Sequence, residues 1–485
     1  MRRPIHLALL LCVAAIAAGV SGAADTPRAA ATAQNSLLGI WVPDAAPRAL
    51  RTSNGKAPPL TAEAAKLYAE RRQRLAKGDA SFDPTSWCSG PGMPRILTMQ
   101  YPLEIRADAN RVAFIHGWYR WFRIVDMGAG TADPPLPLTM GFPVGRWEGN
   151  TLVIRTTGLI DATVMDASGL PHSEQLTLTE RLRVLPDGRL EDRITIDDPE
   201  NYKQPWETVL TFHRDAAARV TDDVCPDRMA SGEPAEKVSK APAAAAPATA
   251  AQPAAAAARF AGIFEPKTFG FMVPNAPLSS AGQEIVARNA AAMQSGKIMQ
   301  TAWVSCRPGA VSTMTMPREK IVILESADEI TILYEMPRMV RRIRLNASHP
   351  DKLDPSYVGD SIGRWEGNTL VVDTLGFNGY AELDARGQPT SARLHTIERF
   401  TPAADGSIDI ETTIEDPEYY SQPFTIKRSW KKSPARHPYE YDCMENPRQE
   451  DFENAYYVRE RYRPVCMRVE GEGMAPSKMV CGRDK

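Results

Sequence analysis

Apolar and polar residues alternate in short runs along most of this chain. In residues 176–184, leucines at positions 176, 178 and 182 share one face of an extended segment, and polar residues fill most of the other face. Alternation of this kind predicts a half-buried strand. Helical periodicity is found early in each half, at residues 61–77, where Thr61 is a natural N-cap, and at residues 280–294. Further strands are predicted at residues 103–106, 111–118, 151–154, 190–196, 206–213, 321–325 and 330–336.

The two halves of the chain share this pattern because they share a sequence. Residues 145–153 read Gly-Arg-Trp-Glu-Gly-Asn-Thr-Leu-Val, and residues 363–371 repeat them without a change. The match continues without a gap to residues 205–206 and 423–424. A repeated unit of this length is a domain and not a short solenoid repeat.

We therefore predict a mainly β protein with two homologous antiparallel β-barrel domains in tandem, each with one helix near its N-terminus. A lipocalin-like barrel is the first choice and a β-sandwich is the alternative. The domains are predicted at residues 35–231 and 259–444. Residues 232–258 are rich in Ala and Pro, which predicts a semi-extended linker. Residues 445–485 form a C-terminal tail, with a short helix predicted at residues 449–462.

Residues 1–23 have the pattern of a secretory signal peptide. Arg2 and Arg3 precede an apolar run at residues 7–20, and Ser21-Gly22-Ala23 supplies a small-residue cleavage site. A membrane anchor is the alternative, but the apolar run is short for a spanning helix. We therefore expect a periplasmic or secreted protein whose mature chain has no transmembrane segment.

Six cysteines remain after this cleavage, and an even number in an exported chain indicates disulfides. In the repeat register, the first two of these cysteines align with the third and the fourth. We therefore expect one disulfide within each copy and, by elimination, one in the tail. Buried free thiols retained in both copies are the alternative. The predicted pairs are Cys88–Cys225, Cys306–Cys443 and Cys466–Cys481.

Charge and motif content exclude several function classes. The net charge is -2 and lysine and arginine form no basic stripe, so we expect no nucleic-acid partner. The sequence contains no P-loop and no dinucleotide fingerprint, so we expect no nucleotide cofactor. It also lacks the Gly-x-Ser-x-Gly elbow that carries the nucleophile of many serine hydrolases. The histidines are scattered, and there is no His-Glu-x-x-His or Cys-x-x-Cys motif. We therefore expect no metal site and no cofactor.

A glutamate on an apolar strand face is the strongest indication of a site. Glu180 shares the face of the leucines in residues 176–184, and Glu398 takes the same place in the second copy. Because an unpaired buried charge is costly, each glutamate needs a partner. One interpretation is a structural ion pair, and the other is an acid or base with a raised pKa that faces a bound substrate. The candidate partners are Arg120, Arg123, Arg341 and Arg342.

Three further residues are candidates for a site. Asp192 is also predicted to face inward, and the second copy has Ile410 at that position. A functional site is therefore expected in the first copy. His172 lies in the turn at residues 166–173 and has a suitable side chain for acid–base chemistry near neutral pH, although a purely structural turn is the alternative. Trp147 is predicted to close one end of the barrel, with ligand stacking as the alternative.

Three motifs resemble those of a family of exported bacterial proteins of unknown function. The repeated Gly-Arg-Trp-Glu-Gly-Asn-Thr-Leu-Val run is one of them. The others are Pro171-His172-Ser173 with Glu180-Arg181, and Asp198-Pro199 with Tyr202 and Pro205-Trp206. The second copy departs from this pattern at Thr390, where the first copy has His172. The resemblance implies export and a bacterial source, and it assigns no activity and no catalytic residue.

Three functions fit this sequence. The first is binding of a small apolar or aromatic molecule in a barrel lumen. The second is a metal-free lyase, hydratase or isomerase that uses an inward glutamate as acid or base, with an arginine that stabilises negative charge. The third is an envelope protein with a structural or interaction role and no pocket. The candidate catalytic residues are Glu180, His172 and Arg123, and the candidate ligand-binding residues are Asp192, Trp147, Glu398 and Arg342.

Overall fold

The computed structural model describes most of both repeated domains and short parts of the tail. The predicted signal peptide and the predicted linker at residues 232–258 lie outside the described residues. The described residues are 34–128, 136–215, 217–231, 259–267, 272–273, 275–311, 319–336, 338–438, 440–443, 455–458, 466–469 and 478–481.

The first copy folds into a closed barrel of nine strands, in which β1 pairs with both β2 and β9. Neighbouring strands are antiparallel except at β4 and β5, which run parallel and share a single pair of facing residues, Asp126 and Val144. The strands are β1 (Gly39–Pro43), β2 (Leu103–Ala107), β3 (Arg111–His116), β4 (Phe122–Asp126), β5 (Phe142–Glu148), β6 (Thr151–Thr157), β7 (Thr177–Val184), β8 (Leu190–Asp197) and β9 (Trp206–Arg214).

The second copy repeats this barrel with the same strand order. Its parallel neighbours, β14 and β15, share three pairs of facing residues. The predicted tandem barrels are therefore confirmed, and the open sandwich alternative is wrong because both sheets close. The strands of this barrel are β10 (Gly262–Pro266), β12 (Ile321–Glu325), β13 (Glu329–Tyr334), β14 (Met339–Leu345), β15 (Asp360–Glu366), β16 (Thr369–Leu375), β17 (His395–Pro402), β18 (Ile408–Glu415) and β19 (Phe424–Lys432).

The helix predicted near the start of each copy is present. In α1 (Ala62–Ala76) the side chain of Thr61 caps the first turn by accepting a hydrogen bond from the amide of Ala64. A further short helix, α2 (Cys225–Ala230), ends the first copy, and α3 (Ser280–Gln294) belongs to the second. No helix in the described ranges combines the length and the hydrophobicity needed to cross a bilayer.

The tail contributes strands where a helix was predicted. A short strand, β11 (Ile298–Gln300), follows α3 and pairs in parallel with β20 (Ala455–Tyr457). The predicted helix at residues 449–462 is therefore wrong at residues 455–457, because the exposed edge of β11 offers backbone partners to this segment. A second tail pair is formed by β21 (Cys466–Val469) and β22 (Lys478–Cys481).

In each copy, a disulfide joins the segment after the first helix to the C-terminal end of the copy. Cys88 binds Cys225, with Cα atoms 5.7 Å apart, and Cys306 binds Cys443, with Cα atoms 5.5 Å apart. In the tail hairpin, the backbone register of β21 and β22 places the two remaining cysteines opposite each other, and their disulfide stays a prediction.

The two barrels pack against each other through the outer faces of β3 and β4 and of β12–β14. Apolar side chains such as Ile115 and Leu324 form one buried cluster there. Two ion pairs cross the boundary beside this cluster: Arg106 lies 3.2 Å from Glu329, and Arg342 lies 2.5 Å from Glu104. The barrel interiors contain separate apolar cores, so the boundary is a third core that depends on both copies.

Candidate functional site

One arginine and one glutamate form a buried ion pair inside each barrel. In the first barrel, alternation along β4 turns Arg123 inward, and alternation along β7 turns Glu180 to meet it. Arg123 Nη1 donates to Glu180 Oε1 at 2.8 Å, and Nη2 donates to the second carboxylate oxygen and to Thr156 Oγ1, the latter at 2.8 Å. The exposed fractions of the two residues are 3 % and 1 %. This geometry agrees with the interpretation of Glu180 as part of a structural ion pair, and its partner is Arg123.

The matching pair in the second barrel is fully hydrogen bonded at the arginine. Arg341 Nε donates to Ser361 Oγ at 3.2 Å, and Nη1 donates to Glu398 Oε1 at 3.2 Å. Nη2 donates to Thr374 Oγ1 at 3.1 Å and to the other Glu398 oxygen. The same guanidinium also donates a hydrogen bond to the phenol oxygen of Tyr334. Each nitrogen of this arginine therefore has an acceptor, as a structural ion pair requires.

The first barrel differs from the second at three positions around the pair. In the repeat register, Ser361, Tyr334 and Ile410 of the second copy correspond to Pro143, His116 and Asp192 of the first. Pro143 has no hydroxyl group to accept a hydrogen bond from the arginine Nε, and the imidazole of His116 takes the place of the phenol of Tyr334. Aspartate places a second carboxyl in the interior, where the second copy has an alkyl group.

These differences leave three buried polar atoms without a hydrogen-bond partner among the described residues: Arg123 Nε, His116 Nε2 and Asp192 Oδ1. In the second barrel, the hydroxyls of Thr396 and Thr412 and the indole N–H of Trp430 are also unpaired in the described ranges, but none of these atoms belongs to a charged group. A hydroxyl rotates freely, whereas an unpaired guanidinium or carboxyl group is costly. The first barrel is therefore the less satisfied of two otherwise matching interiors.

Burial and neighbouring charges shift the pKa values of Asp192 and His116 in opposite directions. Burial, together with the neighbouring Glu180 carboxylate, raises the pKa of Asp192 well above its usual range. Burial and the charge of Arg123 lower the pKa of His116 to about 3. The first barrel thus places a carboxyl group with a raised pKa and an imidazole with a lowered pKa beside the Arg123–Glu180 ion pair. This set contains groups that can donate and accept a proton.

A cleft lies against the seam between β4 and β5 of the first barrel. Its walls include Arg123 and Pro143, and it leaves a space of ≈ 40 Å³ to water-sized molecules. Because β4 and β5 share only one facing pair, the sheet is least closed at this point. The opposite wall comes from the second copy, with Arg338 and Glu440. Sequence reasoning missed these two residues because they are distant along the chain and no motif connects them.

No family model matches the chain, and no curated protein is significantly similar to it. The function must therefore be inferred from the chemistry of the residues above. Among the described residues, no group of three His, Cys, Asp or Glu side chains is placed to hold a metal ion.

The other site residues predicted from the sequence, His172, Trp147 and Arg342, form no hydrogen bond or ion pair with the Arg123–Glu180 pair. His172 is buried in a loop, where its ring contacts Thr163 Oγ1 at 2.8 Å and the carbonyl of Ser173 at 3.2 Å. Burial lowers its pKa. Trp147 is partly buried and packs against the first core, as a residue that closes a barrel end would. Arg342 lies at the boundary between the barrels, where it binds Glu104.

Proposed function

We propose that this chain is an exported binding protein, and that its first barrel takes up a small, largely apolar molecule by a polar end group. The observation that supports this proposal best is the contrast between the copies. The second barrel satisfies its arginine internally, whereas the first retains three unpaired polar atoms in the same place. Unpaired buried groups cost about 1–3 kcal/mol each, which a ligand with matching polar atoms would offset.

The surroundings of these atoms favour a ligand that is mostly apolar. Phe114 contacts Arg123, and leucine and isoleucine side chains form the surrounding core. A protonated Asp192 donates a hydrogen bond and a neutral His116 can accept one, so a carbonyl or hydroxyl end group would suit them. The seam between β4 and β5 provides the route by which such a molecule would enter.

Export is part of the same proposal. The N-terminal pattern of residues 1–23 and the two disulfides support it, because disulfides persist in oxidising compartments such as the periplasm or the cell exterior. The resemblance to exported bacterial proteins points the same way.

A metal-free lyase, hydratase or isomerase is the second candidate. It is favoured by one observation, the buried carboxyl group of Asp192, whose pKa is raised, beside the Glu180–Arg123 ion pair. In this version Asp192 is the proton donor, and Glu180 holds the arginine in position. The acid–base role that the sequence suggested for Glu180 would in this version belong to Asp192.

Native mass spectrometry of protein isolated from its own source tests the binding proposal. We expect the wild type to carry a retained small molecule, and the double variant Asp192→Ile, His116→Tyr, which has the residues of the second copy, to lose it. Thr412→Val in the second barrel is the control and should retain the molecule. A wild type without any adduct would favour the structural role, and an adduct kept by the double variant would place the ligand elsewhere.

The same contrast predicts a gain in stability on replacing Asp192. Asp192→Ile should raise the free energy of unfolding by about 1–3 kcal/mol at neutral pH, because it removes a buried carboxyl group whose Oδ1 has no hydrogen-bond partner among the described residues. The reverse change, Ile410→Asp, should lower it. Urea denaturation of both variants measures these effects.

The gain from Asp192→Ile should also depend on pH. The pKa of Asp192 is raised in the folded protein, so its protonation stabilises the fold below about pH 4, and this contribution is lost as the pH rises toward the raised value. The advantage of the variant should therefore be smaller at pH 4 than at pH 7.5. An advantage that grows on acidification would contradict the assigned direction of the pKa shift.

A further inference from the structure

The cleft between the barrels has the chemistry of a binding site in its own right. One wall is formed by the start of β4 and by residues 138–143 of the first copy. The other is formed by Arg338 and by residues around Glu440 of the second copy. Phe122, Met140 and Phe142 give it an apolar lining. The site therefore requires both copies.

Three residues from separate segments leave polar atoms unpaired at this cleft. Trp121 Nε1, Arg338 Nη1 and Glu440 Oε2 are buried atoms with no hydrogen-bond partner in the described part of the chain. The exposed fractions of Trp121 and Arg338 are 1 % and 7 %. The guanidinium of Arg338 stacks on the indole of Trp121, so these two donors are held together.

The unpaired atoms act together as donors at neutral pH. Trp121 Nε1 and Arg338 Nη1 can only donate. Burial raises the pKa of Glu440 to about 8, and its other oxygen is occupied by the amide of Met140 at 2.7 Å. The free oxygen of Glu440 is therefore suited to carry a proton and to donate as well.

Nearby acidic groups have other partners. Asp442, which lies 3.7 Å from Arg338, accepts hydrogen bonds from Ser89 Oγ and the amide of Gly90, both at 2.6 Å. Glu335 accepts from the amide of Lys320 at 3.3 Å. Burial lowers the pKa of Arg338, whose Nη2 donates to the carbonyl of Tyr441 at 2.6 Å. A ligand that supplies negative charge and two acceptor atoms would complete this site.

We propose that the cleft between the barrels binds a small organic carboxylate with a short apolar body. The carboxylate oxygens would accept hydrogen bonds from Arg338, Trp121 and Glu440, and the apolar body would lie against Phe122 and Phe142. Arg123 lines both this cleft and the interior of the first barrel, but the three donors of the cleft are different residues, so the inference does not depend on the function proposed for that interior.

Titration calorimetry with butyrate, butyramide and butylamine on the full chain tests this inference. The three probes share a similar alkyl body and differ in charge. We expect butyrate to bind, and butyramide to bind at least about tenfold more weakly, since a charged acceptor makes the stronger hydrogen bonds. Tighter binding of butylamine, or no binding of butyrate, would overturn the proposal.

Three variants identify the donors. Arg338→Met should weaken butyrate binding by about tenfold or more, and Trp121→Phe, which keeps an aromatic ring but removes the N–H, should weaken it several-fold. Glu440→Gln retains an N–H donor and should bind butyrate nearly as well as the wild type. It is the control that shows that a substitution in this cleft does not by itself disrupt the fold and abolish binding.

Asp192→Ile should leave butyrate binding unchanged. If Asp192→Ile abolishes binding and Trp121→Phe does not, the carboxylate binds inside the first barrel and the cleft inference fails while the proposed function stands.

Discussion

Replacing Cys88 and Cys225 together by alanine is expected to lower the free energy of unfolding of the first barrel by about 4–5 kcal/mol. The two residues are 137 positions apart, so their disulfide closes a loop that contains nearly the whole barrel. Without it, the unfolded chain gains the conformational freedom of this loop, and the native state gains nothing in return. Guanidinium denaturation with and without a reducing agent measures the loss.

The second copy supplies a matched control for this prediction. Cys306 and Cys443 are also 137 positions apart, so their joint replacement should cost a similar amount in the second barrel. Reducing agent should destabilise the wild type and should have less effect on a variant that already lacks one disulfide. A change below about 1 kcal/mol would mean that the unfolded chain is compact enough to hold the cysteines close without a bond.

Strand alternation and the repeat register are sufficient to predict much of this structure. Alternation along residues 176–184 places Glu180 inside the barrel, and the register transfers that position to Glu398. The register also relates the two disulfides. These inferences succeed because they depend on local geometry and on duplication, both of which are visible in a linear sequence.

The partners of these residues were less predictable, because they depend on contacts between distant segments. Four arginines were candidate partners for the two glutamates. Arg123 and Arg341 are the partners because they are the arginines of β4 and β14 whose side chains point into the barrels. The neighbouring Arg342 lies on the opposite face and serves the boundary between the barrels. The helix predicted in the tail failed because an available strand edge overrode local propensity.

The raised pKa falls on Asp192, which the sequence offered only as a secondary candidate. Two carboxyl groups face the same interior, and Glu180 is the one that receives both terminal nitrogens of the arginine. The sequence places both carboxyls inside, but the competition between them for one guanidinium is decided by three-dimensional positions.

Replacing Glu398 by Gln is expected to lower the free energy of unfolding by about 3–5 kcal/mol, because it leaves the buried charge of Arg341 uncompensated. In the second barrel no other carboxyl group replaces Glu398, since Ile410 occupies the position of Asp192. Urea denaturation at neutral pH measures this loss. Glu148→Gln, which breaks an exposed pair with Arg181, is the surface control and should have no measurable effect.

The matching change in the first barrel, Glu180→Gln, should cost less than Glu398→Gln. When the charge of Glu180 is removed, the repulsion that raises the pKa of Asp192 is also removed, and Asp192 can ionise and compensate Arg123. The double change Glu180→Gln, Asp192→Asn removes this second carboxylate and should restore the full loss of about 3–5 kcal/mol. Equal losses for the two single changes would show that Asp192 does not interact with the pair. Asp192 would then be a poor candidate both for ligand binding and for proton transfer, and the function proposed for the first barrel would lose its main support.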